Sequence, residues 1–207
     1  MSKAKTVLRF KITLDGSAPK IWRRIVVPSG YSFFDLHCAI QDAMGWSDSH
    51  LHGFYIAQKG TARPIVIMIP DPENDFEMFR HESLDERKEK IADYFPAQIK
   101  QCKYTYDFGD SWDHTVLFEK ELPIDANTKY PICAAGKNAC PVEDCGGLWG
   151  YDNLIETLKN PMDKEHKDMC ECLGIEAGDE IDPAEFDLSE VVFASPKEHS
   201  KRWEQIN

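Results

Sequence analysis

The chain has 207 residues, of which 42% are apolar and 29% charged, with 11 Phe, 7 Tyr and 5 Trp; it can bury a core and is not a disordered tract. Its net charge of −12 argues against a general nucleic-acid binder, because phosphate neutralisation drives such binding. The longest apolar run, Ile65–Ile69, is far too short to span a bilayer, and Met1–Lys5 lacks the apolar stretch of a signal peptide, so a cytoplasmic protein is predicted.

Leu8, Phe10, Ile12 and Leu14 alternate with Val7, Arg9, Lys11 and Thr13, which predicts a half-buried strand. Asp15–Pro19 supplies a turn, and Ile21–Val27 returns as the second strand of a hairpin. Ser32 is placed to cap a helix, with Asp35 completing a capping-box variant and Gly45 ending it; Leu36, Ile40, Ala43 and Met44 share one face. Strands are expected at Leu51–Ala57 and Ile65–Ile69, followed by an acidic loop at Asp71–Asp75. Ser83-Leu84-Asp85-Glu86 reads as a capping box opening a helix through about Phe95. Two more strands, Lys103–Phe108 and Thr115–Leu122, flank Asp107–Asp110.

After Pro123 the character changes. Tyr130–Tyr151 is rich in Cys, Gly and Pro and reads as a loop lobe, with helices expected at about Asn153–Lys159 and Lys164–Leu173. The segment from 188 to 207 reads as an acidic, irregular tail with one apolar patch at Val191-Val192-Phe193. This order predicts a single α+β domain with its core over about 6–187: a mixed or antiparallel sheet, an α/β roll, with helices on one side and the Cys/Gly-rich loop lobe.

Three constellations could carry chemistry. Cys133, Cys140 and Cys145, with His166, would make a tetrahedral zinc site; only the second cysteine spacing fits a zinc knuckle, and the alternative is small buried thiols filling a turn-rich loop. Seven cysteines cannot all pair internally, and thiols or thiolate ligands are expected in preference to disulfides. His50 and His52 are two apart, which on a strand places both imidazoles on one face, toward one ion or one anionic ligand. Asp107, Asp110, Trp112, Asp113 and His114 crowd a predicted turn where carboxylates and an imidazole could hold a divalent cation and activate water. The bland reading of that cluster is a turn in which Asp side chains accept backbone N–H groups. No nucleophile elbow, phosphate-binding loop or dinucleotide fingerprint is present, and Asp107-Phe108-Gly109 lacks the other kinase motifs.

Charge is uneven. Residues 1–24 hold seven Lys/Arg against Asp15, a local charge of +6, so the remainder carries −18. Arg9, Lys11, Arg23 and Arg24 would form a basic strip for an anionic partner, nucleic acid or an acidic protein, unless they simply solvate a sheet face.

Leu36 to Trp46, His50 to Phe54, Tyr104 to His114, Cys140 to Gly147 with Gly150-Tyr151, Glu165-His166 and Asp182 to Asp187 together resemble the plasmid ORF-3-like family. Relatives are described as passenger proteins of an insertion element, so the resemblance implies a link to mobile elements. Val142 stands where relatives usually have Pro, and Cys172 where many have Trp; many are apolar at Cys145, which weighs against the three-cysteine zinc site. The resemblance implies the fold and segment boundaries and carries no activity. Two functions follow as expectations: a non-enzymatic accessory protein that binds an anionic partner through the N-terminal hairpin, or a metal-dependent hydrolase using His50, His52, Asp107, Asp110 and His114.

Overall fold

The alternation near the amino terminus becomes a long strand pair in the computed structural model, which describes residues 6–70, 83–173 and 182–206. Strand β1 (Thr6–Leu14) buries Leu8, Phe10, Ile12 and Leu14 and leaves Arg9, Lys11 and Thr13 half-exposed. It pairs antiparallel with β2 (Trp22–Pro28), with Phe10 opposite Ile25 and Ile12 opposite Arg23. Helix α1 (Phe33–Met44) starts on the expected capping box, with Asp35 N–H donating to Ser32 Oγ and Ser32 N–H to Asp35 Oδ2; Gly45, at φ 84°, ends it in the left-handed region.

Strands β3 (His52–Ile56), β4 (Ile65–Met68) and β5 (Ser83–Asp85) follow, then a single helical turn, α2 (Ile91–Tyr94). Next come β6 (Gln101–Tyr106), β7 (Trp112–Pro123), β8 (Ile132–Lys137), α3 (Gly147–Leu158), α4 (His166–Leu173), a 3₁₀ turn at Leu188–Glu190 and α5 (Pro196–Ile206). Among the described residues eight strands form one sheet in the order β5-β4-β3-β6-β7-β1-β2-β8, antiparallel throughout except for β4 with β5. Helices lie against one side, as an α+β fold requires. The core joins Phe10, Ile12, Phe54, Tyr104 and Trp112 of the sheet to Phe33, Leu36 and Ile40 of α1. Phe33 meets Phe54 and Tyr94 edge-on at 5.0 and 5.3 Å.

Three segments differ from expectation. Ser83–Glu86 opens no helix: Ser83–Asp85 pairs with β4, and the Glu86 side chain is fully buried against His52 instead of closing a capping box. Tyr130–Tyr151 is not all loop, because its first part pairs with β2 as β8 and its end begins α3, ahead of the predicted Asn153. Gly150 sits inside α3, where a Cβ would overlap the Cys145 carbonyl oxygen, a close backbone approach that glycine alone allows. The C-terminal segment is helical over Pro196–Ile206. Ser195 and Glu198 form its capping box, with Glu198 N–H reaching Ser195 Oγ at 3.3 Å and Ser195 N–H reaching Glu198 Oε2 at 2.6 Å. The acidic loop at Asp71–Asp75 lies outside the described residues.

Candidate metal centre

Three loops meet beside the end of β6. Residues 46–50 link α1 to β3, residues 107–111 link β6 to β7, and residues 143–147 lead into α3. In the second, Asp107 has φ 53°, and its Oδ1 accepts the Gly109 N–H at 2.8 Å while its carbonyl accepts the Ser111 N–H at 2.7 Å. That turn uses one carboxylate oxygen and leaves Oδ2 3.9 Å from His50 Nε2. From the third loop Asp144, at φ 60°, brings Oδ1 to 3.1 Å from the same nitrogen. His50 Nε2 is sealed from solvent and makes no hydrogen bond of good geometry. Its ring edge meets Tyr106 at 5.8 Å. The loops are tied together around this point: Asp110 Oδ2 accepts the Gly146 N–H, and Glu143 accepts the Tyr106 hydroxyl and the Ser47 N–H.

Donors about 2.1 Å from one ion stand roughly 3.0–3.4 Å apart at right-angle to tetrahedral spacing. The His50–Asp144 distance meets that, and the Asp107 oxygen needs to close by less than about 1 Å. Two carboxylates offset a divalent charge, and one imidazole with two oxygens suits a first-row divalent ion. Asp144 is largely exposed, so the outer side of the cluster faces water.

A second His/Asp cluster, His37, Asp48 and His52, is fully buried. Its ligand atoms also lie close together, but the two rings stack at 3.4 Å and 3°. A cation binds in the plane of an imidazole, and no point lies in both of two parallel planes, so these rings cannot share an ion in this arrangement. The cluster is instead a directed hydrogen-bond chain. Gln41 Nε2 donates to the Tyr104 hydroxyl, which therefore gives its own proton to His37 Nδ1; His37 Nε2–H then donates to Asp48 Oδ1 at 2.7 Å. His199 of α5 donates from Nδ1 to Asp48 Oδ2 at 2.8 Å and from Nε2 to Asp42 Oδ1 at 3.1 Å. Burial opposes charge on His199, but Asp42 and Asp48 overcome it and hold its pKa up at about 9. Burial likewise works against the Asp48 carboxylate, and the neighbouring imidazoles hold it well below the usual carboxylate range. Burial, then the neighbouring His52, lower His37, which stays neutral.

The structure thus unites His50 with Asp107 and separates both from the other expected ligands. His52 lies on the core face of β3, where Glu86 takes its Nε2; His50 precedes the strand, in a bend, so the two-residue spacing does not put both on one face. Asp110 serves Gly146. Trp112 and His114 are both fully buried, and the His114 ring lies 5.4 Å from Trp46 and 5.5 Å from Tyr104. Burial pulls the His114 pKa down to about 4; nearby backbone groups of Trp112 and Tyr104 act the other way, without a well-formed hydrogen bond to either ring nitrogen.

Cys133, Cys140, Cys145 and His166 do not converge. Among the described residues, no group of three metal-ligating atoms within reach of one another includes a cysteine. Cys133 belongs to β8, Cys140 Sγ lies 3.3 Å from Met44 Sδ, and Cys145 turns into the loop before α3. His166 does meet Cys170 at 3.6 Å, one helical turn on, and its Nδ1 faces the Thr157 carbonyl of α3. Burial raises the Cys140 and Cys145 thiols to about 12 and 11, which keeps them protonated.

The basic strip is also committed internally. Arg23 has the same parity as Ile25 and Val27, so it points inward, donates to the Ala43 and Asn138 carbonyls and stacks 4.0 Å over Phe186. Arg24 forks onto Glu119, which Arg9 also reaches at 2.7 Å, and Lys11 lies over Trp22. Among the described residues, no helix is long and apolar enough to cross a membrane.

Asp48, Asp144, His37, Glu86 and His199 are not among the candidate ligands that the sequence offers. His37 had a signal, since it lies four after Phe33 and three before Ile40, on the buried face of α1. His199 follows a Ser195–Glu198 capping box with Pro at the first helical position. Asp144 and Asp48 had none, because their roles depend on loops meeting in space.

An eight-stranded sheet with helices on one side and a His/Asp cluster where three loops meet defines an α+β protein with a candidate cation site. The chain matches the model of the plasmid pRiA4b ORF-3-like protein family over residues 6–190 and belongs to that family. It is 34% identical over 170 residues to the uncharacterized protein y4hQ of Sinorhizobium fredii (strain NBRC 101917 / NGR234), covering 82% of this chain and 81% of that one. The crystal structure of MM3350, a protein of unknown function from Methanosarcina mazei Go1, matches with a TM-score of 0.78 at 41% identity, covering 91% of this chain and 98% of that one.

Proposed function

We propose that this protein binds a divalent metal ion at His50, Asp107 and Asp144 and acts as a metal-dependent hydrolase. The observation that carries the reading is His50 Nε2: a solvent-sealed nitrogen without a well-formed hydrogen bond, 3.1 and 3.9 Å from carboxylate oxygens on two other loops. A solvent-sealed ring nitrogen without a well-formed hydrogen bond is costly unless something satisfies it. An ion held there lowers the pKa of a bound water toward neutrality. Asp107 and Asp144 supply the negative charge, His50 the nitrogen, and the Tyr106–Glu143 pair braces the loops from behind. The internal use of Arg9, Arg23 and Arg24 leaves the anionic-partner reading with less support.

Calorimetric titration with Mn²⁺, Co²⁺ and Zn²⁺ tests this. The wild-type protein should take up one equivalent, and Asp107→Asn or His50→Ala should weaken binding at least about tenfold, or 1.4 kcal/mol. Metal-stimulated cleavage in a panel of phosphoester, amide and ester substrates should fall with the same variants. No stoichiometric uptake by wild-type protein, or equal affinity in Asp107→Asn, would remove the reading.

A further inference from the structure

The loop that carries His50 is tethered at each of residues 46 to 49, and one tether comes from the far end of the chain. Trp46 Nε1 donates to the Pro141 carbonyl at 2.9 Å, the Ser47 N–H to Glu143 at 2.7 Å, and the Ser49 N–H to the Tyr106 hydroxyl at 3.0 Å. Between them Asp48, fully buried at φ 61°, is held by His37 on one oxygen and by His199 on the other. The first three tethers come from the sheet and from residues 141–143. The fourth comes from α5, which lies beyond the stretch that the family model matches.

His199 is itself fixed at both ends of its ring. Its second nitrogen reaches Asp42 of α1, whose other oxygen accepts the Ala194 N–H at 2.9 Å, just before the Ser195 cap of α5. One carboxylate on α1 therefore seats both the start of α5 and the imidazole that α5 delivers.

We infer that His199 is a positioning residue through which the C-terminal helix sets the 46–50 loop, and with it His50, for metal binding. The inference deepens the metal reading and rests on it for its functional meaning, while its mechanical part, a link from α5 to the loop, is measurable without metal. Asp48 is two residues from His50, so its displacement moves the ligand's backbone directly. Supporting groups behind a metal ligand typically change affinity about 10–100-fold when removed.

The test compares full-length wild type with His199→Phe, which fills the space without hydrogen bonds, and His199→Gln, which keeps an amide donor. Two readouts are taken: Mn²⁺ affinity, and hydrogen–deuterium exchange of a peptide covering 46–51 in metal-free protein. His199→Phe should bind Mn²⁺ about 10–100-fold more weakly and exchange faster in that peptide, with β1, β6 and β7 unchanged, and His199→Gln should recover part of both. Should His199→Phe not fold, Ser195→Ala/Glu198→Ala, which weakens the start of α5 without opening the core, should shift both readouts in the same direction by a few-fold. A wild type that binds no Mn²⁺ while the 46–51 peptide still loosens in the variant would sink the metal reading and support the link. A wild type that binds Mn²⁺, with affinity and loop exchange unmoved in a folded variant, would overturn the link and leave the metal reading standing.

Discussion

Asp48→Ala is expected to lower the unfolding free energy by about 3–5 kcal/mol, the usual cost of removing one partner from a buried ion pair. The carboxylate is wholly buried and takes hydrogen bonds from His37 and His199. Without it the His199 imidazolium keeps only Asp42, and the His37 N–H loses its acceptor inside the core. In a chain of this size the loss corresponds to roughly 6–20 °C in melting temperature. Urea unfolding should show a lower midpoint with an unchanged slope, and an unchanged midpoint would show that the carboxylate does not hold the network. The same pair makes stability depend on pH in a stated direction. His199 has a folded pKa raised from 6.5 to about 9, so its contribution is complete below 6.5 and is lost as pH rises through about 9. Melting followed from pH 6 to 10 should therefore show a decline in wild type that Asp48→Ala has largely lost.

Gly150→Ala should be destabilising by about 3 kcal/mol or more, although alanine normally gains up to about 1 kcal/mol over glycine inside a helix. The sign reverses because a Cβ at this position overlaps the Cys145 carbonyl oxygen, which is backbone and cannot swing aside. Either α3 or the loop before it must move. Gly147 is confined in the same way: it has φ 71°, and its Cβ would stand 2.6 Å from the Asp110 carbonyl oxygen. The loop that gives way carries Asp144, so Gly150→Ala should also weaken metal uptake where the fold survives. Circular dichroism melting of Gly150→Ala beside an exposed control such as Glu156→Ala separates a local clash from a general loss of helix. Equal or higher stability than wild type would show that the loop yields at no cost.

The candidate site is half legible in the sequence. His50 and Asp107 could be picked out because His and Asp crowd two short segments, and the Asp107–Asp110 turn could be read from its Asp and Gly content. His52 lies apart from His50 because strand parity does not reach back to a residue that precedes β3 in a bend. The cysteines, whose spacing fits a knuckle at only one of two intervals, are separated in space: β8 draws Cys133 into the sheet while Cys140 turns toward Met44. Arg23 belonged to the basic strip by composition and to the core by parity, and parity won because it shares a face with Ile25 and Val27.

Local chemistry along the chain determined the hairpin, the capped and glycine-terminated α1, the central strands and the α+β class, since each depends on alternation, caps or turn residues only a few positions apart. What only the tertiary structure decided is which side chains meet. Glu86 left a capping box for His52, Asp144 joined His50 and Asp107 from more than thirty residues away, and His199 reached back to Asp48. Such meetings follow from sheet order and loop closure over long separations, and from the need of each buried polar group for a partner, which no local pattern encodes.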